Sequence, residues 1–208
     1  MTLGLLLATM EPPAGMEEEF QDWYDTEHFP ERRDCEGFLT AGRWVCLDGW
    51  PRYLALYDLS DAGVLTGPAY SRIAVDRYSP WTHRIMAKMW GQYRMAGEQI
   101  YPGAAKLGDR GASARLLLMR FRDAPAHAGD DIVEGLRATL GGEAQAAQFR
   151  VFRESRGAVC DFAAIVEARG RIAPPPAMAF GSAATHLDLV NTYAPYSRRA
   201  AGAFPGAR

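Results

Sequence analysis

Long hydrophobic runs are absent from this chain. The most apolar stretch, Thr2 to Met10 (TLGLLLATM), falls well short of the ~20 residues a membrane-spanning helix needs and lacks the basic flank and small-residue cleavage site of a signal peptide. It reads instead as a buried strand. Charge of one sign is lacking as well: 23 Lys and Arg stand against 25 Asp and Glu, for a net charge of -2, which offers no basic stripe to nucleic acid or an anionic membrane. Neither nucleic acid nor membrane is therefore expected as a partner. Cysteine is scarce, and Cys35, Cys46 and Cys160 form an odd set without a CxxC pair, so reduced thiols in a cytoplasmic protein are expected. The four histidines, His28, His83, His127 and His186, are scattered and show no HxH spacing, so no metal is expected, although Glu27 and His28 meeting a distant third ligand stays open. GxGxxG, GxxxxGK[ST] and GxSxG are all missing, which removes support for nucleotide cofactors and hydrolase elbows, and the expected cofactor set is none.

What is present is a patterned chain of 208 residues, long enough to bury a full core without staples. The opening strand is apolar on both alternating sets, as expected for a strand covered on both faces. Glu17, Glu18 and Glu19 then place negative charge in the first turn of a helix whose stripe is Met16, Phe20, Trp23, Tyr24 and Glu27, expected to end near Phe29 because Pro30 disfavours helical geometry before it. Strands over Phe38 to Leu47 and Arg52 to Leu59 are joined by a hairpin at Asp48-Gly49. Helical pieces broken by Pro68 and Pro80 precede a fourth strand between Lys88 and Ile100.

After a Gly- and Ala-rich stretch the pattern starts again, with strands over Ala114 to Arg122, Ala144 to Glu154, Asp161 to Arg169 and Thr185 to Ala194, and a helix over Asp130 to Leu140. The Pro-rich Ile172 to Gly181 leaves the second helix of this half short or absent. The reading is an α+β chain of two βαββαβ repeats packed sheet to sheet: 1–103, a linker at 104–113, a degenerate second repeat at 114–197 and a tail at 198–208. One mixed α+β domain with strands that only look repetitive is the alternative.

All five tryptophans, Trp23, Trp44, Trp50, Trp81 and Trp90, precede the linker, so an aromatic-walled small-molecule site is expected in the first half, a richer aromatic core being the structural alternative. The densest constellation is Trp23-Tyr24-Asp25-Thr26-Glu27-His28-Phe29-Pro30. On a helix Trp23, Tyr24, Glu27 and His28 share a face, so a titratable pair continues an apolar stripe, where ionisable groups are costly unless paired or used. His28 is the expected acid/base, with Tyr24 and Glu27 assisting. A histidine closing a helix and a surface Glu27 pair with Arg32 or Arg33 fit the same residues structurally. Trp23, Tyr57 and Trp81 are candidate cavity walls. Arg43 and Arg94, read by strand alternation, could reach a barrel interior and hold a carboxylate or enolate, or serve at a sheet edge.

The apolar first strand, the segment WYDTEHFP, the acid-Gly-Phe at Glu36-Gly37-Phe38, the YLALYDL of the third strand and the later Pro80-Trp81-Thr82 together resemble the EthD-like branch of the dimeric α+β barrel superfamily over about residues 1–101. The resemblance implies ferredoxin-like units packed sheet to sheet, here as an intramolecular dimeric α+β barrel, and a cleft between sheet and helices for a small hydrophobic or aromatic molecule. It carries His28 over as the possible acid/base. Asp130 to Leu140 has no WYxxEH, which sets a second, symmetry-related site in doubt.

The leading expectation is a cofactor-free lyase, isomerase, cyclase or decarboxylase acting on a planar aromatic, polyketide-like or carbonyl compound. A cofactor-independent monooxygenase and a non-catalytic binding protein are the alternatives, and a homodimer beyond the fused pair stays open.

Overall fold

The computed structural model describes residues 2–108 and 113–196; residues 109–112 of the expected linker and the tail at 198–208 lie outside these. The described residues form eight strands, β1 (Gly4–Glu11), β2 (Gly42–Asp48), β3 (Tyr53–Leu59), β4 (Trp90–Tyr101), β5 (Arg115–Ala124), β6 (Ala146–Arg156), β7 (Val159–Ala168) and β8 (Leu187–Pro195). They close into one barrel in the order β1-β3-β2-β8-β5-β7-β6-β4, with every pairing antiparallel.

This corrects the expected fold class. Two ferredoxin-like α+β units stacked sheet to sheet do not form. The edges β2 and β4 of the first half hydrogen-bond to β8 and β6 of the second, at Val45 with Ala194 and Gln99 with Phe152, so the halves share one continuous sheet. The physical reason is the edge itself: a free edge strand leaves a row of unpaired N–H and C=O groups, and closure removes every one. Alternation within strands, which the sequence shows, does not reveal which edges will meet.

The barrel is filled, not hollow. Leu5, Leu7, Leu54, Leu56, Leu116, Leu118, Phe152, Ile165 and Tyr193 point inward and form one buried cluster. One end is closed by charge: Arg150 donates to Asp58 Oδ1 at 2.5 Å and lies 3.1 Å from Glu167 Oε1, all three side chains being almost fully buried. Chain leaving β4 finishes the plug, with the Leu107 and Gly108 amides donating to Asp58 and Glu167.

Helices cover the outside unevenly. Over the second half α5 (Ala128–Leu140) lays Ile132, Leu136 and Leu140 against Met119, Phe121, Phe162 and Val166, and the 3-10 segment Ala177–His186 adds Phe180. Here the Pro-rich stretch does leave a short helical element. Over the first half lie α1 (Glu17–Trp23), a π-helical turn at Tyr24–His28, α2 (Phe29–Arg33), α3 (Pro68–Ser71) and α4 (Pro80–Met86). Gly37, at φ +91°, then turns the chain toward β2, and an added Cβ would lie 2.6 Å from a Val64 methyl. None of the helices among the described residues is long and apolar enough to cross a membrane.

The helix expected to end near Phe29 instead runs on to Arg33. Pro30 is accommodated because the preceding turn is π-helical, with the Phe29 amide donating to the Tyr24 carbonyl five residues back. The wider turn makes room for a ring that would collide with the i−4 carbonyl of a regular α-helix.

Candidate active site

The π turn decides which side chain faces the sheet. In an α-helix Trp23 shares its face with Glu27; one extra residue in the turn replaces that partner with His28. Accordingly Trp23 and His28 pack ring on ring at 4.2 Å, and Tyr24 meets His28 edge-on at 5.2 Å. Glu27 is turned toward α4, where its Oε1 accepts from Ser79 Oγ at 2.5 Å and Thr82 Oγ1 at 2.7 Å. Thr82 in turn accepts from the Trp23 indole at 2.9 Å, so Glu27 ties α1 to α4.

Beneath these helices, on the outer face of β1, β3 and β4, lies a cavity of about 160 Å³. Its floor is Leu6, Ala8 and Met10 of β1 with Tyr57 of β3; the small Ala8, paired across the ladders with Ala55 and Arg94, opens the space. Its roof is Tyr24, His28 and Arg32 from the helical block, with Tyr70, Tyr78 and Met86 closing the side. Burial sets a direction: His28, Tyr24, Tyr57 and Arg32 are all nearly inaccessible, whereas Gln92 and Arg94 of β4 are exposed at the rim.

On the cavity's wall residues two polar atoms are buried without a hydrogen-bond partner among the described residues: His28 Nδ1 and the Tyr57 hydroxyl. Such orphans are uncommon, because an unmet buried donor or acceptor costs about 1–3 kcal/mol. Burial, with Arg32 and Arg43 nearby, holds the His28 pKa well below its ordinary value, so the imidazole is neutral at neutral pH. Burial, reinforced by the neighbouring Tyr24 phenol, pushes the Tyr57 pKa well above its ordinary value, so that phenol keeps its proton. A neutral ring nitrogen and an intact O–H thus meet an apolar space together.

Arg32, 3% exposed, donates to the His28 carbonyl at 3.2 Å and, among the described residues, has as carboxylate partner the half-exposed Glu31 at 3.5 Å. Arg94 makes no ion pair among the described residues, and no acidic side chain lines the cavity.

The remaining candidates are placed as follows. Of the proposed catalytic set, His28 and Tyr24 line the cavity and Glu27 does not. Of the binding set, Tyr57 and Arg94 line it. Trp23 stands behind His28 as packing, and Trp81 donates to Glu19 at 3.2 Å, away from the space. Neither Arg43 nor Arg94 enters the barrel. Both pair with outward-facing positions, Arg43 with Ala55 and Arg94 with Ala8, because the inward positions of those strands belong to the apolar core. Arg43 is sandwiched between the Tyr24 and Tyr196 rings at 4.1 and 4.2 Å, donates to Gln21 at 2.5 Å and pairs with Asp25. It acts on His28 through its charge. Arg32 was missed as a wall residue; its signal was the i, i+4 step from His28, hidden by the expectation that Pro30 ends the helix.

The architecture defined by these elements is a closed antiparallel barrel with a helix-roofed cavity on one flank. No protein-family model matches the chain, and no curated protein matches it by sequence. Solved structures do match in fold. An anthrone oxidase-like protein superposes with a TM-score of 0.67 at 13% identity, covering 97% of this chain and 94% of that one. A protein of Lactobacillus acidophilus NCFM provisionally designated a monooxygenase gives a TM-score of 0.55 at 8% identity, over 94% of each chain. A similarly designated protein of Fusobacterium nucleatum gives 0.50 at 8% identity, over 93% of this chain and 91% of that one.

Proposed function

We propose that this chain is a small-molecule oxygenase that draws its electrons from the substrate and uses no bound cofactor, with His28 as general base. The single observation that carries the reading is the pair of unpartnered buried polar atoms, His28 Nδ1 and the Tyr57 hydroxyl, on the wall of one cavity. The oxygenase assignment, over the lyase or isomerase chemistry that the same base could serve, is supported by the designations of the proteins that share the fold. The WYDTEHFP segment, which resembles that of EthD-like proteins, is the one that carries His28.

The chemistry balances without a reductant. With an electron-rich phenol bound, its proton moves to His28 only as an ion pair: the phenolate, also held by Arg32, supplies the negative charge that offsets the burial and the Arg32 and Arg43 charges keeping the empty-site imidazole neutral. The phenolate gives electrons to dioxygen and a ring carbon bonds to it, forming a hydroperoxide. Loss of the ring C–H proton and cleavage of the O–O bond release water and leave a carbonyl. For a hydroquinone the sum is hydroquinone plus dioxygen giving hydroxyquinone plus water, with all four electrons coming from the substrate. Tyr57 donates to the developing carbonyl oxygen.

The test is oxygen uptake with isotopically labelled dioxygen and a panel of phenols and hydroquinones. One labelled atom is expected in the product, and His28→Ala should lower turnover at least ~100-fold, the usual contribution of a general base. Turnover without oxygen would refute the oxygenase, and an His28→Ala effect within about threefold would refute the base.

A further inference from the structure

The cavity constrains its ligand in size and charge, and this inference rests on the reading that it is the active site. At about 160 Å³ the space is far below the roughly 300–1,000 Å³ typical of drug-sized sites. It is close to the ~150 Å³ that accommodates one benzene ring. A fused three-ring compound such as an anthrone would therefore have to extend past the rim, leaving part of its ring system outside these walls.

Charge adds the second constraint. Two arginines line the space and no carboxylate does. They differ in exposure: Arg32 is buried beside His28, and Arg94 is exposed at the rim without an ion-pair partner among the described residues. A cation left unpaired at a cavity mouth, above an apolar floor of Leu6, Ala8 and Met10, selects a planar molecule with an anionic end. The deep end, with His28 Nδ1 and the Tyr57 hydroxyl unmet, selects a hydroxyl or carbonyl.

We infer that the ligand is a single-ring aromatic acid, with a ring hydroxyl held at His28 and Tyr57 and a carboxylate held at Arg94. A dihydroxybenzoate satisfies both ends and retains the hydroquinone electrons the proposed reaction needs.

The experiment is calorimetric binding under anaerobic conditions, so that occupancy is read apart from turnover, using 2,5-dihydroxybenzoate, hydroquinone and 1,8-dihydroxyanthrone. The single-ring acid is expected to bind, the three-ring compound not to bind, and hydroquinone to bind more weakly than the acid. Arg94→Gln should weaken the acid about tenfold, the equivalent of ~1.4 kcal/mol, and leave hydroquinone unchanged, while Arg94→Lys recovers part of the loss. Failure of the acid to bind, equal or tighter binding of the three-ring compound, or an acid affinity unmoved by Arg94→Gln would each overturn the inference. The two readings fail separately. Binding as expected without oxygen uptake removes the oxygenase and keeps the ligand class, whereas oxygen uptake on the three-ring compound alone keeps the oxygenase and removes the ligand class.

Discussion

A buried neutral histidine leaves a thermodynamic trace that needs no substrate. His28 is 5% exposed, with its pKa depressed first by burial and then by the Arg32 and Arg43 charges, whereas in the unfolded chain it titrates near 6.5. Because the folded pKa lies below the unfolded one, this contribution to stability is fully present above pH 6.5. It is lost as the pH falls toward the folded value, since only the unfolded state takes up the proton there. With at most one proton of difference the slope is no more than ~1.4 kcal/mol per pH unit, so moving from pH 7.5 to 5.5 should remove up to about 1.4 kcal/mol. For a chain of this length that is a fall in Tm of about 3–5 °C. Other groups also titrate in this range, so the quantity to measure is the stability of the wild type minus that of His28→Gln, by urea unfolding at both pH values. The difference should shift against the wild type on acidification, by up to about 1.4 kcal/mol. Parallel pH dependences for the two proteins would refute the burial of a neutral imidazole.

Three further outcomes follow from the same geometry. Tyr57→Phe removes a buried hydroxyl that lacks a partner, so it should raise stability by about 1 kcal/mol in chemical unfolding while weakening ligand binding, opposite signs that a plain packing role would not give. Glu27→Ala breaks the bonds to Ser79 and Thr82 and should cost about 1–3 kcal/mol of stability, yet turnover measured well below the Tm should stay within about threefold of wild type. Arg150→Met leaves Asp58 and Glu167 buried without their cation and should cost about 3–5 kcal/mol in urea unfolding; a loss below about 1 kcal/mol would contradict a buried triad.

The sequence disclosed the strands more readily than the way they join. Alternation placed β1, β3 and β5 within a few residues, and Asp48-Gly49 marked the β2–β3 hairpin, because both signals are local. The pairing of β2 with β8 and of β4 with β6 is non-local, and nothing in Val45 or Gln99 announces its partner. That is why two stacked sheets were expected where one closed barrel forms.

The candidate site divides along the same line. The stripe from Phe20 to His28 is visible as helical spacing, but the π turn is not, since it arises from fitting Pro30 and packing the rings of Trp23 and His28 together. Its consequence is to turn Glu27 away and bring Arg32 in. Arg43 and Arg94 were legible as strand arginines, whereas the face they occupy depends on which side of the barrel the helices cover.

The proposed ligand sits against His28 in the cavity under the helical block. Four histidines make nitrogen NMR of the histidine-labelled protein decisive, because His83 and His127 are exposed on other elements and His186 accompanies the Arg122 carbonyl. Anaerobic titration with 2,5-dihydroxybenzoate is predicted to shift the His28 ring nitrogens most, with a midpoint about tenfold higher in Arg94→Gln. Shifts at His83, His127 or His186 with His28 unmoved would place the ligand elsewhere and contradict the account.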